Sequence, residues 1–322
     1  MREKGTVVIL ATGGTIAGVG GHGKTTGYKS GTLTAETLIQ NLPELRDVAP
    51  VESVQVCNVN SDDITGEIWL ELARTINETA KDDNVAGFVI THGTDTLEET
   101  AFFLHLAVRT EKPVVITGSM RPATSISADG PMNLYQAVCV AASASSVGRG
   151  VLAVFSDRIY AARSVTKTST YRLTAISSGE MGAVGIIRDG EVFWYDENEK
   201  PRTPAYDVDG LFKLPKVSIL FFAVDADTEL LRYAASHADG LVIAGAGAGE
   251  FSAAYQEIIE TLKIPIVISS RIDDGLITQD IVLCQNTIAA NHLSPQKAAI
   301  LLRIALAQNA DRETIKAMFA RY

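Results

Sequence analysis

Apolar runs and helical periods alternate along this chain. Residues 6–11 (TVVILA) are apolar at every position but the first, the mark of a strand buried on both faces of a parallel sheet. A helical period follows over 34–41. A stronger one spans 65–77, where Ile68, Trp69, Leu72, Ala73 and Ile76 share a face. Residues 85–91 (VAGFVIT), 113–118 and 150–157 read as strands, with helices predicted over 97–108 and 131–142. From Glu191 to Lys213 both periods vanish, and the charge, Pro and Tyr of that stretch read as a linker. The alternation then restarts. Strands are predicted over 216–224, 241–244 and 264–270, and helices over 227–237 and 252–263. Ser294 and Pro295 supply an N-cap and a first helical position for a helix running to Gln308, and Asp311 caps a last one. The pattern predicts an α/β protein of two domains, 1–190 and 214–322, joined by a linker over 191–213. A length of 322 residues agrees with about two domains.

Composition removes several classes of function. Hydrophobic residues make up 46% and charged residues 20%, which excludes a disordered or collagen-like chain. No apolar stretch approaches the roughly 18 residues that a membrane span needs. With 28 basic and 38 acidic residues the net charge is −10, and there is no long basic run. Neither nucleic acid nor an anionic membrane is expected as a partner. The three cysteines, Cys57, Cys139 and Cys284, are odd in number, lack a CxxC pair and sit among apolar neighbours, so buried free thiols are expected and no metal site. Near the N-terminus the apolar run covers only Val7 to Ala11 before glycines intervene. It is too short for a secretory signal, and a cytoplasmic location is expected.

Four segments could carry chemistry. Residues 18–25 (GVGGHGKT) match the phosphate-loop pattern, but that mechanism needs a strand entering and a helix leaving, and neither flanks this loop. A glycine-rich lid is the expected reading, and GAGAG at 245–249 reads as a structural turn. ATGGTIAG (11–18) ends the first strand, and the carboxyl ends of strands are where open α/β sheets place ligands. There Gly13 and Gly14 permit a sharp turn and Thr15 presents a hydroxyl, unless it merely caps the next segment. THGTDTLEET (91–100) sets Thr94 and Asp95 at the end of a second strand. Asp95 or Thr96 could cap the following helix, with Glu98 and Glu99 favouring its dipole, but a cap accounts for only one of the pair. His92 reads as a packing or supporting residue. TKTST (166–170) supplies Lys167, a candidate base for a weakly nucleophilic hydroxyl. Two threonines, an acid and a lysine point to nucleophilic hydrolysis.

The segments ILATGGTIAG, ITHGTDTLEET, TGSMRPATSISADGPMNLYQAV, SVTKTST and LSPQKAAILLRIAL together resemble the bacterial L-asparaginase/glutaminase family, closest to its type II, periplasmic-like branch. The resemblance runs from Val7 to Tyr322. It implies a larger flavodoxin-like N-terminal domain and a smaller α/β C-terminal domain. It also implies a homotetramer of close dimers, in which the neighbour's C-terminal domain completes each site, and no cofactor. The activity implied is hydrolysis of L-asparagine to L-aspartate and ammonia. Thr15 would be the nucleophile, and Tyr28, on the lid, its hydroxyl partner. Lys167 would polarise Thr94, Asp95 would hold the substrate α-ammonium, Ser61 the α-carboxylate, and the Ser119 carbonyl the leaving amide nitrogen.

Three positions depart from the family pattern. Asp62 stands where Gln is usual, Glu250 replaces a neutral residue in the GAGAGE turn, and Val282 stands where a Glu normally helps to bind the ammonium. Either Glu250 supplies the lost carboxylate, or specificity has shifted towards L-glutamine or another small amide. A small-molecule sensor with a dead site is the alternative from another class, and the joint presence of Thr15, Tyr28, Thr94, Asp95 and Lys167 argues against it.

Overall fold

A computed structural model of the chain describes residues 5–18, 34–196 and 205–322. The chain divides into two compact units, Met1–Tyr206 and Asp207–Tyr322.

In the first unit, five parallel strands form one end of an eight-stranded sheet, with β2 at its edge: β1 (Thr6–Gly13), β2 (Val51–Val59), β3 (Val85–Thr91), β4 (Val114–Thr117) and β5 (Val151–Phe155). Their spatial order is β2-β1-β3-β4-β5, the flavodoxin order, whose direction of winding reverses between β1 and β3. The sheet is extended beyond β5 by antiparallel β6 (Arg158–Ala161). A separate two-residue pair, β7 (Thr166–Lys167) and β8 (Ile176–Ser177), interrupts the chain before it returns as β9 (Gly185–Arg188) and β10 (Glu191–Trp194) on the outer edge. The helices are α1 (Ala35–Gln40), α2 (Leu45–Val48), α3 (Gly66–Thr79), α4 (Leu97–Ala107) and α5 (Gly130–Ala142).

Burial explains why the central strands are the easiest to read from sequence. β3, β4 and β5 are enclosed on both faces, so both sets of alternate side chains are apolar. Against one face, Leu134, Ala137, Val138, Val140 and Ala141 of α5 join Val7, Ile9, Val89, Val115, Leu152 and Val154 in a single core. Each large side chain buried there contributes about 1.5–3 kcal/mol. α3 packs on α4, with the Trp69 and Phe103 rings stacked 5.2 Å apart.

The second unit holds four parallel strands in sequential order: β11 (Val217–Phe221), β12 (Gly240–Gly245), β13 (Ile266–Ser270) and β14 (Ile288–Ala289). Its helices are α6 (Thr228–His237), α7 (Ala253–Ile259), α8 (Pro295–Ala307) and α9 (Arg312–Phe319). The two caps expected from sequence are present: Ser294 Oγ accepts from Lys297 N at 3.4 Å, and Asp311 Oδ1 from Thr314 N at 2.9 Å.

The structure differs from the sequence reading in the linker assigned to 191–213. Its first residues, Glu191–Trp194, are strand β10, and the boundary between the units falls at Tyr206/Asp207. β9 and β10 form a hairpin whose two-residue turn is Asp189-Gly190, with φ of 52° and 81°. That Asp-Gly pair is a hairpin signal in its own right. Cys57 also departs from expectation. It is only half-buried, and its Sγ donates to the Thr12 carbonyl at 3.3 Å, while Cys139 and Cys284 are buried.

Candidate active site

The site forms where the sheet's winding reverses, and register sets it up. Ala11, Thr91 and Thr117 are lateral neighbours on β1, β3 and β4, so the loops leaving these strands emerge at one level. Thr12 Oγ1 donates to the Thr91 carbonyl at 2.9 Å and fastens two of the strand ends together.

Two glycines then let the loops touch. Gly14 has φ +80°, in the left-handed region that glycine adopts without steric cost, and its N–H donates to the Val59 carbonyl at 3.1 Å. A Cβ on Gly14 would lie 2.3 Å from the Gly93 nitrogen, and one on Gly93 would lie 2.7 Å from Ser61 Oγ. Any side chain at either position would push the three loops apart. The loops that carry Thr15, Ser61 and Thr94 are thereby in contact, and all three residues are buried. Thr15 does not cap the next segment: the cap position of the short 3-10 turn Thr15–Ala17 belongs to Gly14.

Lys167 reaches these loops from β7. Its Nζ donates to Thr94 Oγ1 at 2.8 Å and to Asp95 Oδ1 at 2.5 Å. The lysine side chain is 16% exposed and the aspartate 69%. Asp95 therefore does not cap α4. That position falls to Thr96, whose hydroxyl instead donates to the Ser61 carbonyl at 2.6 Å. An amine shielded from water and bonded to a hydroxyl is placed to take that hydroxyl's proton, or to pass one on.

Ser119, at the end of β4, is fully buried, with its Oγ donating to the Arg121 carbonyl at 2.8 Å. The loop around it is fixed by residues that sequence reasoning leaves without a role. Asp129 accepts from the Met120 and Arg121 nitrogens, each at 2.9 Å, and Asn133 Nδ2 donates to the Gly118 carbonyl at 3.0 Å. Asp62 lies exposed on the short turn Ser61–Asp63. Tyr28 lies outside the described residues, as does GVGGHGKT beyond Gly18.

Glu250, in the second unit, is exposed at the end of the turn after β12, where Ala246 and Glu250 exchange backbone hydrogen bonds at 2.8 Å in both directions. Val282 is 7% exposed and belongs to the apolar core of that unit, with Leu241, Ile243 and Ile268.

His92 is a supporting residue, as its apolar setting suggests. It is fully buried, and a carbonyl only accepts, so the 2.7 Å contact between Nδ1 and the Gly93 carbonyl places the ring proton on Nδ1. Nε2 then accepts from Thr100 Oγ1 at 2.9 Å, and Thr100 Oγ1 accepts from Trp69 Nε1 at 2.8 Å. Burial drives the His92 pKa down from 6.5 to about 4, with the bond to Gly93 opposing. The unfolded chain therefore binds this proton near pH 6.5 and the folded chain only near 4. Stability from this group is complete above pH 6.5 and falls by about 3 kcal/mol as pH drops to about 4. Urea unfolding of wild type and His92→Gln at pH 7 and pH 4.5 measures it. The wild type should lose more stability than the variant, and equal losses would contradict the assignment.

A doubly wound α/β sheet brings loops that carry two threonines, a serine and a lysine–aspartate pair to its switch point, where such sheets place ligands, and this is the candidate active site of a hydrolase. The comparisons with known proteins agree along the whole chain. The family described as asparaginase, N-terminal, matches residues 6–200, and the glutaminase/asparaginase C-terminal domain matches residues 216–319. L-asparaginase 2 of Bacillus subtilis is 44% identical over 98% of this chain and 86% of its own length. A protein of Haemophilus influenzae named probable periplasmic L-asparaginase is 42% identical over 97% of this chain and 92% of its own. The crystal structure of a probable cytoplasmic L-asparaginase from Campylobacter jejuni superposes with a TM-score of 0.93 at 38% identity, covering 99% of this chain and all of that one. The chain belongs to the bacterial L-asparaginase family.

Proposed function

We propose that this protein hydrolyses L-asparagine to L-aspartate and ammonia through an acyl-enzyme on Thr15. The observation that carries the reading is the Lys167–Thr94–Asp95 cluster beside the loop that bears Thr15. The Thr15 hydroxyl attacks the side-chain amide carbon, with Tyr28 as its hydroxyl partner on the lid. Backbone amides near Gly93–Thr94 stabilise the oxyanion. The C–N bond breaks and ammonia departs with the transferred proton. Water, activated at Thr94 by Lys167, then opens the ester and restores Thr15. Ser61 binds the α-carboxylate, Asp95 the α-ammonium and the Ser119 carbonyl the amide nitrogen, with Asp62 beside them. Ammonia release measured across a panel of small amides tests the reading. L-asparagine should give the highest kcat/KM, and a preference for L-glutamine or succinamate would overturn it in favour of shifted specificity through Asp62, Glu250 and Val282.

The assembly proposed is a homotetramer of close dimers in which the partner subunit's C-terminal domain completes each site. Sedimentation at micromolar concentration tests it, with a monomer as the contradicting result. A cytoplasmic location is supported by the Campylobacter neighbour, which is named cytoplasmic, while the Haemophilus relative is named periplasmic.

An ammonium taken out of water needs opposite charge. Val282, packed in a core, offers none, and Glu250 is the proposed replacement from the partner subunit. Glu250→Ala should lower kcat/KM for L-asparagine by roughly ten- to a hundredfold, about 1.4–2.8 kcal/mol. It should affect succinamate, which lacks the α-amino group, far less. An unchanged asparagine-to-succinamate ratio would show that Glu250 does not read the ammonium.

A further inference from the structure

We propose that Glu98 is a positioning residue for Lys167, an inference that rests on the role given to Lys167 above. Glu98 lies in the first turn of α4, three residues beyond Asp95, and is only 8% exposed. Carboxylates are rarely buried without a partner that holds them. Here Oε2 accepts from the backbone N–H of Lys167 at 2.7 Å. The helix start, with its own positive end, helps to offset the carboxylate's lost hydration.

The need for such a clamp arises from where Lys167 sits. Among the described residues β7, two residues long, pairs only with β8, also two residues long, apart from the eight-stranded sheet. The central strands bring Thr94 and Asp95 to the crevice by continuous ladders, but no such ladder fixes Lys167. Its long side chain must nonetheless place Nζ within 2.8 Å of Thr94 Oγ1. A misplacement of about 1 Å at a reacting group costs up to a hundredfold in rate. Glu98 ties the backbone of Lys167 to the helix whose first turn directly follows Asp95. One helix start therefore fixes the acid through the chain and the base through a hydrogen bond. The helix-dipole role expected for Glu98 from sequence is compatible with this, but a dipole effect alone does not require burial or contact with residue 167.

The test compares Glu98→Ala, Glu98→Gln and Glu98→Asp, each also combined with Lys167→Met, with kcat and KM for L-asparagine measured by ammonia release. Glu98→Ala should lower kcat ten- to a hundredfold and leave KM within threefold. Glu98→Gln keeps an oxygen that accepts from the same N–H and should recover kcat to within about threefold of wild type. Glu98→Asp keeps the charge but withdraws the oxygen by one methylene. It should lose most of the activity, and it serves should the alanine variant not fold. In the Lys167→Met background each Glu98 change should have less than a twofold effect, because a residue that acts through Lys167 has nothing left to position. Wild-type kcat in Glu98→Asp, or a loss equally large with and without Lys167, overturns the proposal. Full activity in Lys167→Met alone would instead overturn the mechanism on which it rests.

Discussion

Thr15→Ala should lower kcat for L-asparagine by about a thousandfold or more while the protein stays folded. Thr15 is buried, at 7% exposed, but the truncation removes only one methyl and one hydroxyl at the start of a short turn, so the packing lost is about 1 kcal/mol. The left-handed backbone that turns the chain belongs to Gly13 and Gly14, which the substitution leaves untouched. The expected rate loss, about 4 kcal/mol in transition-state stabilisation, is what removal of the atom that forms the acyl bond demands. Thermal unfolding should shift by only a few degrees. A variant that retains more than a few per cent of wild-type kcat would remove Thr15 from the nucleophilic role, and Thr94 or Ser61, the other hydroxyls on the loops at the crevice, would become the candidates.

Lys167→Met should cost about a hundred- to ten-thousandfold in kcat, the range for loss of a positioned acid–base group. The methionine keeps most of the apolar stem and removes the amine that contacts Thr94 Oγ1 at 2.8 Å. The effect on stability should be small. The Lys167–Asp95 pair is close, at 2.5 Å, but Asp95 is 69% exposed and regains water when the amine is gone. Ion pairs of that kind contribute about 0–1 kcal/mol. A large fall in kcat with a nearly unchanged melting temperature is the expected combination, and unchanged kcat would leave the cluster without a catalytic part. Steady-state kinetics together with differential scanning calorimetry separates the two.

Much of this arrangement is legible in the sequence, because the central strands carry the site and are also the most apolar. β3, β4 and β5 are enclosed on both faces, and residues 85–91, 113–118 and 150–157 announce themselves accordingly. The glycines and threonines at the strand ends then identify the crevice. Two of the elements that escape lie at the edges of the large sheet. β2 exposes much of its length and is held by its ladder to β1, so VESVQVCNV shows no clear apolar pattern. β10, at the opposite edge, merges with the linker in the sequence pattern, although Asp189-Gly190 marks a hairpin. In the site, Thr15, Thr94, Asp95 and Lys167 are readable as hydroxyl, acid and amine at strand ends. Asp129, Asn133 and Glu98 are not, since their work is to bind backbone atoms 8, 15 and 69 residues away. No local pattern encodes a partner that distant, although a polar side chain at or near the start of a helix is in each case the available hint.

The central claim is a covalent ester between Thr15 and the substrate acyl group. Its most direct test is acid quenching during turnover of isotope-labelled L-asparagine, followed by digestion and mass spectrometry of the labelled peptide. A β-aspartyl ester on Thr15, within ATGGTIAG, is the expected result. An ester on Thr94 or Ser61 instead, or turnover with no covalent label at Thr15, would contradict it.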